Sequence, residues 1–293
     1  MITINKLFIL LVTIVSLSTY ANLVTNLEGE AKVNNGYLSY ITPLALPQGI
    51  NKLSPNLSIN YTQGSGSSPL GLGFKLSGLP SVSRCAKTEK IDGIEHGVLL
   101  NEEDAYCLEG IRLIKISDNK YRLINNSNIK ATLSNNAWTV YYPNGVNKKF
   151  TSANNYNNKI LNWNLVTTKD KFNNTIDYNY MVDNNIYYVN TISYNNHKVV
   201  FNYKNSPHQY IDYRFGVKHQ HNKLLDNIAI HTNNNLFKTY KLNYQTATTY
   251  SRLNEIILCD GVNVCTKPLT FGYKQLESNN DPDISDIIAE DTL

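Results

Sequence analysis

Charge is scarce in this chain of 293 residues: Asp, Glu, Lys and Arg make up 17%, against 42% apolar residues. That balance excludes a disordered polyelectrolyte and a coiled coil. No C-x2-C occurs, and no His lies at ligand spacing from a cysteine, which argues against a zinc site. The absence of G-x-S-x-G removes the nucleophile elbow. No carboxylate pair stands out for glycoside chemistry. The Gly-rich run Gly64–Gly73 lacks the closing Gly-Lys-Ser/Thr of a phosphate loop and carries Pro69, so it reads as a tight surface turn. Past residue 21 no apolar run is long enough to span a membrane. The net charge is +4, and the basic excess of the body, residues 22–276, is spread along it and leaves no nucleic-acid footprint. These absences predict no catalytic, cofactor-binding or metal-binding residues, no cofactor, no nucleic-acid partner and no membrane insertion of the mature chain.

Tyrosine and asparagine fill the space: 21 Tyr and about forty Asn. Tyr fits a pleated, half-buried surface, and Asn tolerates the positive φ of tight turns. Together they predict an all-β protein and argue against a helical bundle or a doubly wound nucleotide-binding fold.

The first 21 residues stand apart. Lys6 precedes an apolar stretch, Leu7 to Leu17, and Ser18-Thr19-Tyr20-Ala21 supplies small residues before Asn22. This is the pattern of a secretory signal peptide, residues 1–21, and it predicts export through the bacterial periplasm. Export makes disulfides available to the four cysteines. Three pairings are possible, and the local one is simplest: Cys85 with Cys107 and Cys259 with Cys265.

From 151 to 276 strands and turns alternate with little interruption. Leu161, Trp163 and Leu165 alternate with Asn162 and Asn164. After a turn at Asp170–Asn174, Ile176, Tyr178 and Tyr180 alternate with Asp177 and Asn179. The same rhythm recurs at Ile186–Tyr194, Val199–Tyr203, Leu224–Thr232, Leu236–Tyr244 and Ser251–Leu258. Period two places Tyr and Leu on one face and Asn, Lys and Thr on the other. The reading is an antiparallel meander of successive hairpins forming a curved sheet or partial shell. A tail, 277–293, holds six acids and no base, and is expected to be disordered.

Two short motifs carry chemistry only weakly. His219 and His221 form an H-x-H pair on one strand face, but Lys218 and Lys223 flank it and it reads as exposed surface. Glu28-Gly29-Glu30 matches the Glu-x-Glu of ADP-ribosyltransferases without the strands such a site requires.

Several segments in order resemble one family. Gly36–Ile41 leads into Thr42-Pro43-Leu44, Leu46–Gly49 and Leu53–Tyr61. Then come GLGFKLSGLPSVSR (Gly71–Arg84) with Cys85, Asp92-Gly93 and Asp104–Leu113. Later pieces are the hairpin from Trp163 to Tyr178, Ser251-Arg252-Leu253, and Cys259 to Phe271. From about residue 28 to 275 the chain resembles the N-terminal domain of the Salmonella virulence plasmid B protein (SpvB), which also opens the B subunit of insecticidal toxin complexes. The resemblance marks Gly71, Gly73, Phe74, Leu76, Gly78, Arg84, Trp163, Tyr178 and Arg252 as structural motif residues. Phe74 stands where the family usually has Trp, keeping an aromatic anchor without an indole donor.

The resemblance implies a scaffold, residues 22–276, of the Rhs/YD-repeat shell type: a secreted, non-enzymatic module whose partners are other toxin-complex subunits. No transferase or shell-repeat continuation is seen after residue 276. Two other readings are carried forward. One is a glycan- or host-surface-binding module with Tyr and Trp138 stacking on sugars. The other is the truncated remnant of an ADP-ribosylating toxin.

Overall fold

The computed structural model describes residues 27–156, 159–246 and 249–273. The signal peptide read at 1–21 and the whole acidic tail, 277–293, lie outside them. The fold is all-β; among the described residues the helical pieces are a 3-10 turn at Ile50–Lys52 and a helical turn at Glu89–Asp92.

The opening segment builds a small four-stranded antiparallel sheet. Its strands are β1 (Glu30–Asn34), β2 (Tyr37–Pro43), β3 (Ser58–Thr62) and, after two short pieces β4 (Ser67–Ser68) and β5 (Gly71–Leu72), β6 (Phe74–Ser77). Ile59, Tyr61 and Phe74 are buried from this sheet, while every residue of β1 is exposed.

Eight strands then form a closed ring: β7 (Ser81–Cys85), β8 (Ala105–Leu108), β9 (Ile111–Ser117), β10 (Lys120–Leu123), β11 (Asn126–Ser134), β12 (Ala137–Tyr141), β13 (Asn147–Tyr156) and β14 (Lys159–Lys169). Each pairs antiparallel with the next. The ring closes because Asn162–Asn164 of β14 pair with Ser81–Ser83 of β7. This corrects the expectation of a simply curved, open sheet. The correction has a local cause. β14 is 11 residues long, and its outer edge serves two partners: one stretch takes β7, and Thr167–Lys169 take β15 (Thr175–Asp183).

From β14 a meander continues through β15, β16 (Ile186–Tyr194), β17 (His197–Arg214), β18 (Val217–Thr232), β19 (Asn235–Thr246), β20 (Ser251–Asp260) and the short β21 (Leu269–Thr270). The turns are built as the sequence implies. Asn135-Asn136, Asn184-Asn185 and Asn233-Asn234 each hold two successive positive φ angles. That is the geometry of the primed hairpin turn, which matches the right-handed twist of the strands.

Alternation decides what is buried. Ile176, Tyr178, Ile192, Tyr194, Val199, Phe201, Ile228, Ile230, Tyr240 and Leu242 all face inward. The chain's own opening segment lies on this face. Ala45 N–H donates to Tyr240 Oη at 2.7 Å, and Tyr194 Oη donates to the Pro47 carbonyl at 2.9 Å. Phe74 meets Phe271 edge to face at 4.9 Å. Tyrosine suits this interior better than phenylalanine, because its hydroxyl can satisfy backbone groups at the rim. Tyr180 Oη reaches the Leu165 carbonyl and Tyr203 Oη the Val189 carbonyl, both at 2.9 Å.

Gly78 shows how tightly the opening segment is seated. Its φ is 98°, and a Cβ there would overlap the Asn56 carbonyl oxygen. Gly36 also has positive φ, 82°, but a Cβ there meets nothing within 4 Å. Gly78→Ala should therefore cost about 2–4 kcal/mol, and Gly36→Ala only about 1 kcal/mol. Thermal melts of the two variants check this; equal shifts would refute the close seating.

Candidate functional site

The ring carries a layer of four aromatic side chains. Tyr106 of β8, Tyr121 of β10, Trp138 of β12 and Trp163 of β14 come from alternate strands and meet across the interior. Their ring centroids lie 4.8 to 6.1 Å apart, in edge-to-face geometry. Such a layer is how a small barrel fills its interior with side chains. Trp163 Nε1 donates to the Asn136 carbonyl at 2.8 Å. Trp138 is fully buried, and its Nε1 has no hydrogen-bond partner. Trp138 therefore cannot stack on a sugar at the surface, which leaves the glycan reading only exposed tyrosines such as Tyr37 and Tyr213.

Above this layer lies a cleft of about 1020 Å³ at the barrel mouth. The excursion between β7 and β8, residues 86–104, runs along it as a strap. Two arginines hold the strap. Arg84 Nη1 pairs with Asp104 Oδ2 at 3.0 Å and donates to the Asn101 carbonyl at 2.6 Å, while its Nε donates to the Ile160 carbonyl at 2.7 Å. The Asp104 side chain is fully buried, and its other oxygen accepts from Leu99 N–H at 2.7 Å. Arg112 Nη2 pairs with Asp92 Oδ2 at 2.7 Å and donates to the Ala86 carbonyl at 2.9 Å. Asp92 in turn accepts from Thr88 N–H, closing the helical turn Glu89–Asp92. The Arg84 guanidinium also lies 5.7 Å from the centre of the Tyr106 ring. Burial raises the Tyr106 phenol pKa, and the Arg84 charge opposes the rise.

Both disulfides are formed in the local pairing. Cys85–Cys107 joins β7 to β8 at the roots of the strap, and Cys259–Cys265 closes the loop after β20. Inside that loop Asp260 Oδ1 accepts from Val262 N–H and Val264 N–H.

The remaining motif residues are placed apart from the cleft, as packing devices. Tyr178 is buried, with its hydroxyl 3.5 Å from Thr168 Oγ1. Leu76 is half-buried on β6, beside the core. The Arg252 guanidinium lies between the rings of Tyr250 and Tyr273, 4.7 and 4.8 Å from their centres. Gly71, φ 87°, brings β5 against the Ser251 carbonyl, and Gly73, φ 81°, presses on the Tyr61 ring. This corrects the reading of Gly64–Gly73 as a surface turn. Leu70 is buried, and the Pro69 carbonyl accepts from Leu225 N–H at 2.7 Å, so the run is stitched into the meander. The H-x-H pair also turns inward: His219 and His221 are 6% and 7% exposed. Glu28 and Glu30 are exposed, and Glu30 pairs with Lys32 at 3.1 Å. Among the described residues no three His, Cys, Asp or Glu side chains are grouped to hold a metal ion.

The strap and its two arginine clasps fall in a stretch with known relatives. Residues 32–112 match the family of the Salmonella virulence plasmid 65kDa B protein. This stretch is SpvB-type. The solved N-terminal domain of the effector protein SpvB from Salmonella typhimurium strain LT2 superposes with a TM-score of 0.61 at 14% identity, covering 79% of this chain and 99% of that one. The TcdB2-TccC3 crystal structure gives 0.71 at 16% identity, covering 87% of this chain and 17% of that one. The Photorhabdus luminescens Tc holotoxin pore, carrying the TccC3-D651A mutation, gives 0.71 at 15%, covering 85% and 16%. The chain thus spans about a sixth of the toxin-complex chains it matches and nearly the whole SpvB domain. At these identities the structural likeness is one of fold. No curated protein matches the chain in sequence.

Arg84 is among the motif residues marked in the sequence, whereas Asp104, Arg112 and Asp92 are not marked, and neither pair is foreseen there. The signal was present: all four lie inside the segments that carry the family resemblance.

Proposed function

We propose that this SpvB-type chain is a secreted, non-enzymatic β-module of a toxin-complex or virulence assembly. One observation carries the reading: the two buried arginines at the barrel mouth are each paired with an aspartate of the strap. Arg84 with Asp104 and Arg112 with Asp92 are committed to holding the strap, and the aromatic layer beneath fills the barrel. That arrangement serves shape rather than turnover. The fold's recurrence within much longer toxin-complex chains supports a role as one part of a larger wall.

Contact with partner subunits is expected through strand edges. The broad Tyr/Leu face is occupied by the chain's own residues 44–57, whereas β1 pairs only with β2 among the described strands and is exposed along its length. An exposed edge offers backbone donors and acceptors to an added strand.

The test is association. Mature chain mixed with toxin-complex subunits from the same host should elute as a complex in size-exclusion chromatography with light scattering. Cross-links should map to residues 30–34. A monomer in every mixture would overturn the proposal.

A further inference from the structure

Beyond Asn205 on β17 and before Lys223 on β18, these two strands pair only with each other among the described residues. β16 pairs with β17 at residues 197–200, and β19 with β18 at 227–232. The register of the ribbon jumps at its base. Asn205 opposes Lys223, but the next pair is Tyr210 with His221. Ser206, Pro207, His208 and Gln209 thus face a single residue, Asn222, across the ladder. Pro207 has no N–H to give, so the ladder is interrupted where the ribbon leaves the sheet.

The inner face of this ribbon is unusual for a β interior. It carries Val217, His219 and His221, all buried, opposite Tyr210 and Asp212. The His221 ring lies flat on Tyr210, 4.1 Å between centres and 4° between planes. Its Nε2 is 3.3 Å from Asp212 Oδ2, without hydrogen-bond geometry. Buried polar atoms without hydrogen-bond partners concentrate here: His219 Nε2, His221 Nδ1, Asp212 Oδ1 and His208 Nε2.

We propose that the ribbon Tyr210–His221 is an acid-released latch, closed while His219 and His221 are neutral and swinging out at the Ser206–Gln209 bulge when they take up protons.

Charge counting supports it. The groups facing the pair are few. From β17 come Asp212, Arg214, Tyr210 and His208. From the β15–β16 hairpin come Tyr188 and, near it, Asp183. From β18 itself comes Lys223, whose ammonium donates to Asn205 Oδ1. Lys218 points outward. Asp212 is also 3.6 Å from Arg214 Nη2. One carboxylate, already shared with an arginine, would have to offset two buried imidazolium ions.

The sign follows from the same contacts. Burial lowers both His pKa values below the ordinary 6.5; Asp212 opposes the fall and Arg214 adds to it. A base whose pKa is lower in the closed state holds protons better when open. The latch is therefore stable above pH 6.5 and weakens as pH falls through that value towards the lowered ones.

Hydrogen exchange on the full mature chain tests this, at about pH 7.5 and about pH 5 on either side of histidine titration, corrected for intrinsic rates. Amides of 210–221 should lose protection severalfold at the lower pH, while β7–β14 stay protected. The double variant His219→Phe/His221→Phe should show no such loss. Unchanged ribbon protection in the natural chain, or the same loss in the double variant, overturns the proposal. Should the variant not fold, NMR titration of the natural chain decides. Both imidazoles titrating below 6.5 together with ribbon opening supports the latch; ordinary titration under a protected ribbon refutes it.

Discussion

Arg84→Met should destabilise the barrel by about 3–5 kcal/mol, the cost of leaving a buried charge without its partner. The stranded group is Asp104, whose side chain is wholly enclosed beneath the strap. The same substitution releases the Asn101 and Ile160 carbonyls, so strap and β14 both lose an anchor. Asp104→Leu alone should be similarly damaging, because it strands the guanidinium. The double variant Arg84→Met/Asp104→Leu should recover much of the loss, since apolar replacement of both members of a buried pair is often close to neutral. Urea unfolding of the four proteins measures the cycle. Additive losses in the double variant would mean that the two residues act independently, and the clasp would not exist.

The aromatic layer predicts the second large effect. Trp138→Ala and Trp163→Ala should each cost about 3–5 kcal/mol, as large-to-small changes in a packed core. Substitution by Phe separates the two. Trp163→Phe forfeits the bond to the Asn136 carbonyl and leaves that acceptor unpaired, an added cost of about 1–3 kcal/mol. Trp138→Phe loses no hydrogen bond, because the Trp138 indole N–H makes none. The denaturation midpoint should fall further for Trp163→Phe than for Trp138→Phe. The reverse order would place the indole N–H of Trp138, not that of Trp163, in the structural bond.

Much of this architecture is written locally in the chain. Leu161, Trp163 and Leu165 alternate with Asn in the sequence, and their burial alternates in the same way. The asparagine pairs sit in primed turns because their side chains tolerate positive φ. Ring closure could not be read this way. It depends on Ser81–Ser83 finding Asn162–Asn164 some 80 residues later, with polar residues on both strands and no distinguishing pattern. The inward turn of His219 and His221 was hidden for a related reason. The flanking lysines describe the outer face of the ribbon, and nothing nearby in the chain says what lies under the inner one. The Gly64–Gly73 run misled because glycine serves exposed turns and close backbone approach equally well. Only the Ser251 carbonyl beside Gly71 distinguishes the two.

Strand β14 is a member of the barrel and the first rung of the meander. A pull on the meander reaches the barrel through that shared rung and through the opening segment, which β5 and Pro69 tie to β20 and β18. Both joints on the outer edge of that strand are short, three residue pairs to β7 and three to β15, against the long ladder to β13 on its other edge. Barrel and meander thus meet back to back on one rail, and whatever loosens that rail is felt by both at once.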